Sequence, residues 1–141
     1  MKFTRKANAE WTGSGKEGQG NLTTGSKILD KTQYSFHTRF EDGEKGTNPE
    51  ELIGAAHAGC FAMQLSFMLN EANFTATSLN VDATITFEDG AITKSSLNLE
   101  GEVPNIDAEQ FQQIAHKAKE VCPVSKLLNT EIELKVTLKN A

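Results

Sequence analysis

The sequence predicts one domain, residues 1–141, of mixed α and β structure, and three observations predict it. Strand-like alternation recurs near both ends and in the middle, one long apolar stretch is framed as a helix, and an amphipathic helix follows a capping signal. A chain of this length buries enough surface for a core of its own, so neither a metal nor a disulfide is needed for it to fold.

Near the N-terminus, Phe3, Arg5, Ala7, Ala9 and Trp11 share one parity while Lys2, Thr4, Lys6, Asn8 and Glu10 share the other. This is the pattern of a strand with one buried face, and Gly13 to Gly20 supplies a hairpin turn after it. Tyr34, Phe36, Thr38 and Phe40 then alternate with Ser35, His37 and Arg39, which predicts another strand with Arg39 on its polar face.

Asn48-Pro49-Glu50-Glu51 opens a helix. Asn48 can cap it, Pro49 suits its first position, and the two carboxylates favour the positive end of the helix dipole. The helix is expected to run from Pro49 to Asn70. Glu51, at its third position, is free to cap Asn48, which leaves Glu50 to point elsewhere. Apolar residues lie all round this cylinder, so it must be covered on nearly every side, and a second subunit is one candidate source of that cover. Gly54, His57, Gly59, Gln64 and Ser66 interrupt the stretch from Leu52 to Leu69 and mark a buried helix rather than a membrane span.

Leu79, Val81, Ala83, Ile85 and Phe87 alternate with polar residues, Asp89-Gly90 turns the chain, and Ile92 to Val103 returns as the second strand of a hairpin. Ile92 and Leu97 differ in parity, which predicts a bulge near Ser95-Ser96. Asp107 with Gln110 starts an amphipathic helix that buries Phe111, Ile114, Ala115 and Ala118 and stops before Pro123. A short helical turn from Pro123 to Leu128 leads into a last strand with Ile132, Leu134, Val136 and Leu138 on one face.

A net charge of −5 without a basic run disfavours nucleic acid and anionic membranes as partners and favours a small or neutral ligand. The first twenty residues show no basic-then-apolar leader, so a cytoplasmic location is expected. Gly20 and Gly25 have P-loop spacing, but Ser26-Lys27 reverses the order that a phosphate loop needs, and Gly15, Gly18 and Gly20 lack the context of a dinucleotide site. His57, Cys60, His116 and Cys122 do not have the spacing of a zinc ribbon or finger.

The two cysteines are either buried hydrophobes or working thiols. Cys60 lies about ten residues into its helix, where the dipole is spent and burial opposes ionisation. A charge pair at about 4 Å contributes ~4 kcal/mol at an effective dielectric of about 20, enough to lower a thiol by two pKa units if a cation reaches the sulfur. Cys122 precedes Pro123, is held extended, and can serve as N-cap to the short helix beyond it. Spacing alone leaves both readings open.

Three blocks, Thr38-Arg39-Phe40, Gly46-Thr-Asn-Pro-Glu-Glu-Leu-Ile-Gly-Ala-Ala-His-Ala-Gly-Cys60-Phe61 and Cys122-Pro-Val-Ser125, resemble in this order the OsmC branch of the family that also contains the organic hydroperoxide resistance proteins. The likeness runs from the Trp11 strand to the last strand. It implies an α+β fold, an OsmC-like intertwined homodimer with antiparallel-rich sheets around two long central helices, which accounts for a helix that is apolar on all sides. It also implies that the face bearing Arg39 is buried at a subunit interface.

The resemblance further implies a cysteine-based peroxidase. Cys60 is the peroxidatic nucleophile, Cys122 the resolving thiol, Arg39 the cation that holds the thiolate and orients the peroxide, and Glu50 the acidic partner of Arg39. Glu50 and Cys60 are about 15 Å apart on an ideal helix, so Arg39 spans them by its length, through a helix break, or across subunits. The implied substrate is an organic hydroperoxide, the reductant a dithiol such as a lipoylated protein, and no cofactor or metal is required. Phe61, Met63 and Phe67 suit a hydrophobic access channel. Two other classes compete: a redox-responsive or lipophile-binding stress protein without turnover, and a structural protein with inert thiols.

Overall fold

A computed structural model describes residues 1–140, which divide into two compact units, residues 1–52 and the chain from residue 53 onward.

The first unit is an antiparallel sheet of β1 (Ala7–Thr12), β2 (Gln19–Thr24) and β3 (Thr32–Tyr34), followed by a short helix, α1 (Phe36–Phe40). Gly20 pairs with Trp11 on one side and Tyr34 on the other. A side chain at Gly20 would meet both rings, at 2.6 and 2.5 Å, so the glycine lets the tilted Trp11–Tyr34 pair close over the sheet. β1 is exposed along its whole length, and its expected buried face has no cover in this unit.

The strand expected from Tyr34 to Phe40 is instead a strand end and a helix. Ser35 starts α1 with a reciprocal capping box: its Oγ accepts from the Thr38 amide at 3.2 Å, and Thr38 Oγ1 accepts from the Ser35 amide at 2.8 Å. Residues four apart share a face in a helix as well as in a strand, so the spacing of Phe36 and Phe40 fits either. The capping residues settle it, and the two rings meet at a tilt, with centroids 5.0 Å apart.

The second unit carries most of the helix α2 (Pro49–Glu71), then β4 (Ser78–Glu88), β5 (Ala91–Glu102), α3 (Ala108–Val121), α4 (Pro123–Leu127) and β6 (Glu131–Leu138). β4 and β5 form the expected hairpin about Asp89-Gly90, both left-handed as a two-residue turn demands. The bulge lies earlier than expected: Thr86 pairs with Lys94 and Phe87 with Ile92, which leaves Thr93 as the extra residue rather than Ser95-Ser96. It returns Ile92 to the face of Phe87. β6 pairs parallel to β5, reached through the α3–α4 crossover.

Phe61, Leu65 and Leu69 of α2, Leu97 and Leu99 of β5, and Phe111, Ala115 and Ala118 of α3 form the core of this unit. Phe61 is fully buried and belongs to that core rather than to an access channel. α2 is unbroken, and although its length and composition would let it cross a membrane, the core helix of a folded domain meets the same criteria. One stripe of it, Gly54, His57, Phe61, Leu65 and Leu69, is buried, while Met63 and Phe67 remain 63% and 60% exposed. The expected cover on all sides therefore does not come from this chain's second unit.

Candidate active site

In the first unit, Asn48 accepts from the Glu51 amide at 2.8 Å, as its N-cap role requires, and its Nδ2 donates to Thr38 O at 3.3 Å, tying α1 to the start of α2. Glu51 accepts from Thr47 Oγ1 at 2.7 Å. Glu50, one position earlier, faces the other way and accepts from Arg39 Nε at 2.7 Å. This ion pair is half-sheltered, with the arginine side chain 38% and the glutamate 14% exposed. Glu50 Oε2 is buried with no donor among the described residues. A carboxylate so placed depends on the guanidinium to offset its loss of water.

In the second unit, Cys60 and Cys122, sixty-two positions apart, bring their sulfurs to 3.0 Å. α3 closes with the Cys122 amide donating to Ala118 O, and Pro123 then starts α4, so Cys122 leaves the helical region, at φ −59° and ψ 124°, as a following proline favours. Its side chain is fully buried and that of Cys60 half-buried, and both are free thiols. Burial pushes the Cys60 thiol above its ordinary pKa, the hydrogen bond with Cys122 pushes the same way, and the Val124 backbone pulls it down. The pair has the geometry for a disulfide but not, from these neighbours alone, for a ready thiolate.

One turn before Cys60, His57 is fully buried and uses both ring nitrogens: Nδ1 lies 2.7 Å from Ser95 Oγ and Nε2 2.8 Å from Ser125 Oγ. Burial lowers its pKa and favours the neutral ring. The four possible zinc ligands are not assembled: His57 is occupied by serines and His116 is exposed. Sequence reasoning marked His57 as a polar interruption of a buried helix but did not find its partners. A signal existed, because Ser95 shares the parity of the buried Leu97 and Leu99 and so puts a hydroxyl on the core face of β5.

Residues 41–137 match the family described as OsmC-like protein. The chain is 51% identical over 144 residues to Peroxiredoxin OsmC of Escherichia coli (strain K12), covering 99% of this chain and all of that protein. The crystal structure of the organic hydroperoxide resistance protein OhrB of Bacillus subtilis superposes with a TM-score of 0.70 at 26% identity, over 97% of this chain and 98% of that one. An OsmC-like protein of Vibrio cholerae shares the fold at a TM-score of 0.76 and 16% identity, over 96% of this chain and 99% of that one.

Proposed function

Since the chain belongs to the OsmC-like family and is a thiol-dependent peroxidase, we propose that its substrates are organic hydroperoxides and that Cys60 and Cys122 carry the reaction. The observation that supports this is the 3.0 Å approach of the two sulfurs.

The Cys60 thiolate attacks the distal, hydroxyl-bearing oxygen of the peroxide, the O–O bond breaks, and the alkoxide takes a proton and leaves as the alcohol. Cys60 is then a sulfenic acid. The Cys122 sulfur attacks the Cys60 sulfur, hydroxide leaves as water, and the disulfide forms. An external dithiol, such as a lipoylated protein, returns both thiols and is itself oxidised. Two electrons pass from the dithiol to the peroxide in each cycle.

Arg39 is the cation that stabilises the Cys60 thiolate and the leaving oxygen, with Glu50 holding the guanidinium through the 2.7 Å bond. The need for it follows from the raised pKa of Cys60. α2 is continuous, so a break in it is not how Arg39 reaches its task. The working form is a homodimer, in which a second copy covers the apolar residues of α2 that its own unit leaves exposed, and its place is the reducing cytoplasm, where two thiols persist between turnovers.

Treating the reduced protein with one equivalent of cumene hydroperoxide tests the reaction. A Cys60–Cys122 disulfide found by mass spectrometry, with cumyl alcohol released in equal amount, is the expected result. Alcohol without the disulfide removes Cys122 from the cycle, and consumption of neither thiol removes Cys60.

A further inference from the structure

We propose that His57 is a positioning residue for disulfide closure: through Ser125 it pins the 122–125 turn to α2, and through Ser95 it pins the same point to β5. The inference rests on the peroxidatic and resolving roles given above to Cys60 and Cys122.

The turn touches Cys60 at two points, the Cys122 sulfur at 3.0 Å and the Val124 backbone. Its other anchors are the Cys122 amide bond to Ala118 O and the apolar packing of Cys122 and Val124 against the core, neither of which ties it by a polar bond to the helix that carries Cys60. α4 is five residues long, Pro123, Lys126 and Leu127 face solvent, and Leu127 is 78% exposed. Within α4 only Val124 and Ser125 face inward, and Ser125 is the one that makes a buried polar bond. That bond ends on the ring carried by α2 one turn before Cys60, so the two sulfurs hang from the two ends of one short hydrogen-bonded strut. Ser95 fixes the strut to the sheet.

A neutral imidazole donates from one nitrogen and accepts at the other, so one serine hydroxyl must accept from the ring while the other donates to it. The strut is thus fully satisfied with the ring uncharged, as its burial requires. Closure shortens the sulfur separation from 3.0 Å to about 2.05 Å, and misplacement of reacting groups by about 1 Å can cost on the order of a hundredfold in rate. Peroxide attack on Cys60 does not require Cys122, so the strut should matter far more to the second step than to the first.

Rapid-quench measurement of both steps tests this, with the full-length protein and cumene hydroperoxide. Cys60 oxidation is timed in a Cys122→Ser background and disulfide closure with both cysteines present, the sulfenic acid being trapped with dimedone. Ser125→Ala and His57→Leu should prolong the sulfenic acid about tenfold or more while changing the first step less than about threefold. Ser95→Ala, which leaves the bond to the turn intact, should slow closure less than Ser125→Ala, and His57→Gln, which can reach both serines, should restore much of the rate. Closure in Ser125→Ala as fast as in wild type overturns the proposal. Equal slowing of both steps also overturns it, since that is what loss of packing alone would produce. Should His57→Leu not fold, Ser125→Ala and His57→Gln still decide. Absence of sulfenic acid and disulfide from the wild-type protein is a different result, which defeats the peroxidase reading and the strut with it.

Discussion

At the scale of single residues, Cys60 poses an energetic problem that its own surroundings do not solve. Burial and the second thiol both raise its pKa, and the Val124 backbone is a partial counterweight. If Arg39 supplies the missing charge, Arg39→Met should move the pH midpoint of Cys60 alkylation upward and slow iodoacetamide reaction at pH 7 by about tenfold per pKa unit gained. The measurement is made in the Cys122→Ser background, where Cys60 alone reacts. Glu50→Gln should slow it in the same sense but less, because the guanidinium remains. An unmoved midpoint in Arg39→Met would assign the activating charge elsewhere. His57 yields a second expectation, for stability. Its folded pKa is lowered by burial, so between that value and the ordinary 6.5 the unfolded chain binds the extra proton and stability rises with pH. The stabilisation from keeping it neutral is therefore fully present above about pH 6.5 and is lost as pH falls through the folded pKa. Urea unfolding at pH 7.5 and pH 5 should show wild type losing more stability on acidification than His57→Gln, and equal losses would contradict it. Spacing left Cys60 undecided for a physical reason: ten residues into a helix nothing local ionises a thiol, and the groups that act on it, Cys122 and Val124, are more than sixty residues away in sequence.

At the scale of elements, the long periodic segments were legible to within a few residues and the short ones were not. α2, the β4–β5 hairpin, α3 and β6 each repeat their period several times, and their caps, Asn48 and Asp107, accept at the expected amides, the Asp107 carboxylate from Gln110 at 2.8 Å, while the Glu51 carboxylate turns to Thr47 instead of capping Asn48 in return. α1 has five residues, too few to separate a period of two from a spacing of four, and β2 has little apolar content to mark it. Parity required a bulge between Ile92 and Leu97 but could not choose the residue, which proved to be Thr93. Gly101 was silent in the sequence and is decisive in the packing. A side chain there would lie 2.4 Å from the Phe111 ring, the largest α3 side chain in the core, so β5 and α3 approach at the cost of having no side chain at that point. Gly101→Ala should destabilise the reduced protein by about 1–3 kcal/mol through displacement of Phe111. Urea midpoints with an unchanged slope measure this. Gly15→Ala, where an added methyl meets nothing within 4 Å, should stay within about 0.5 kcal/mol of wild type. A similar small shift at Gly101 would mean that Phe111 has room to move.

At the scale of the whole molecule, the sequence carried a demand that one chain leaves open. α2 is apolar around its circumference, yet its burial in the second unit follows a single stripe, with Met63 and Phe67 four residues apart on an exposed face. Periodicity could reveal that both faces want cover but not which cover comes from the same chain, because a hydrophobic face carries no label for its partner. The same applies to β1, whose alternation promised a buried face that its own sheet does not provide. If a second copy meets α2, sedimentation equilibrium of the wild-type protein at tens of micromolar should give twice the chain mass of 15.4 kDa. Phe67→Asp replaces apolar contact with a charge that burial would leave unpaired, so it should raise the dimer dissociation constant by at least about a hundredfold, or roughly 2.7 kcal/mol. Because association stabilises the folded chain by mass action, the wild-type Tm should climb with protein concentration while that of Phe67→Asp should not. A wild-type mass of 15.4 kDa throughout that range would leave α2's outer face to a different cover and remove the homodimer from the account.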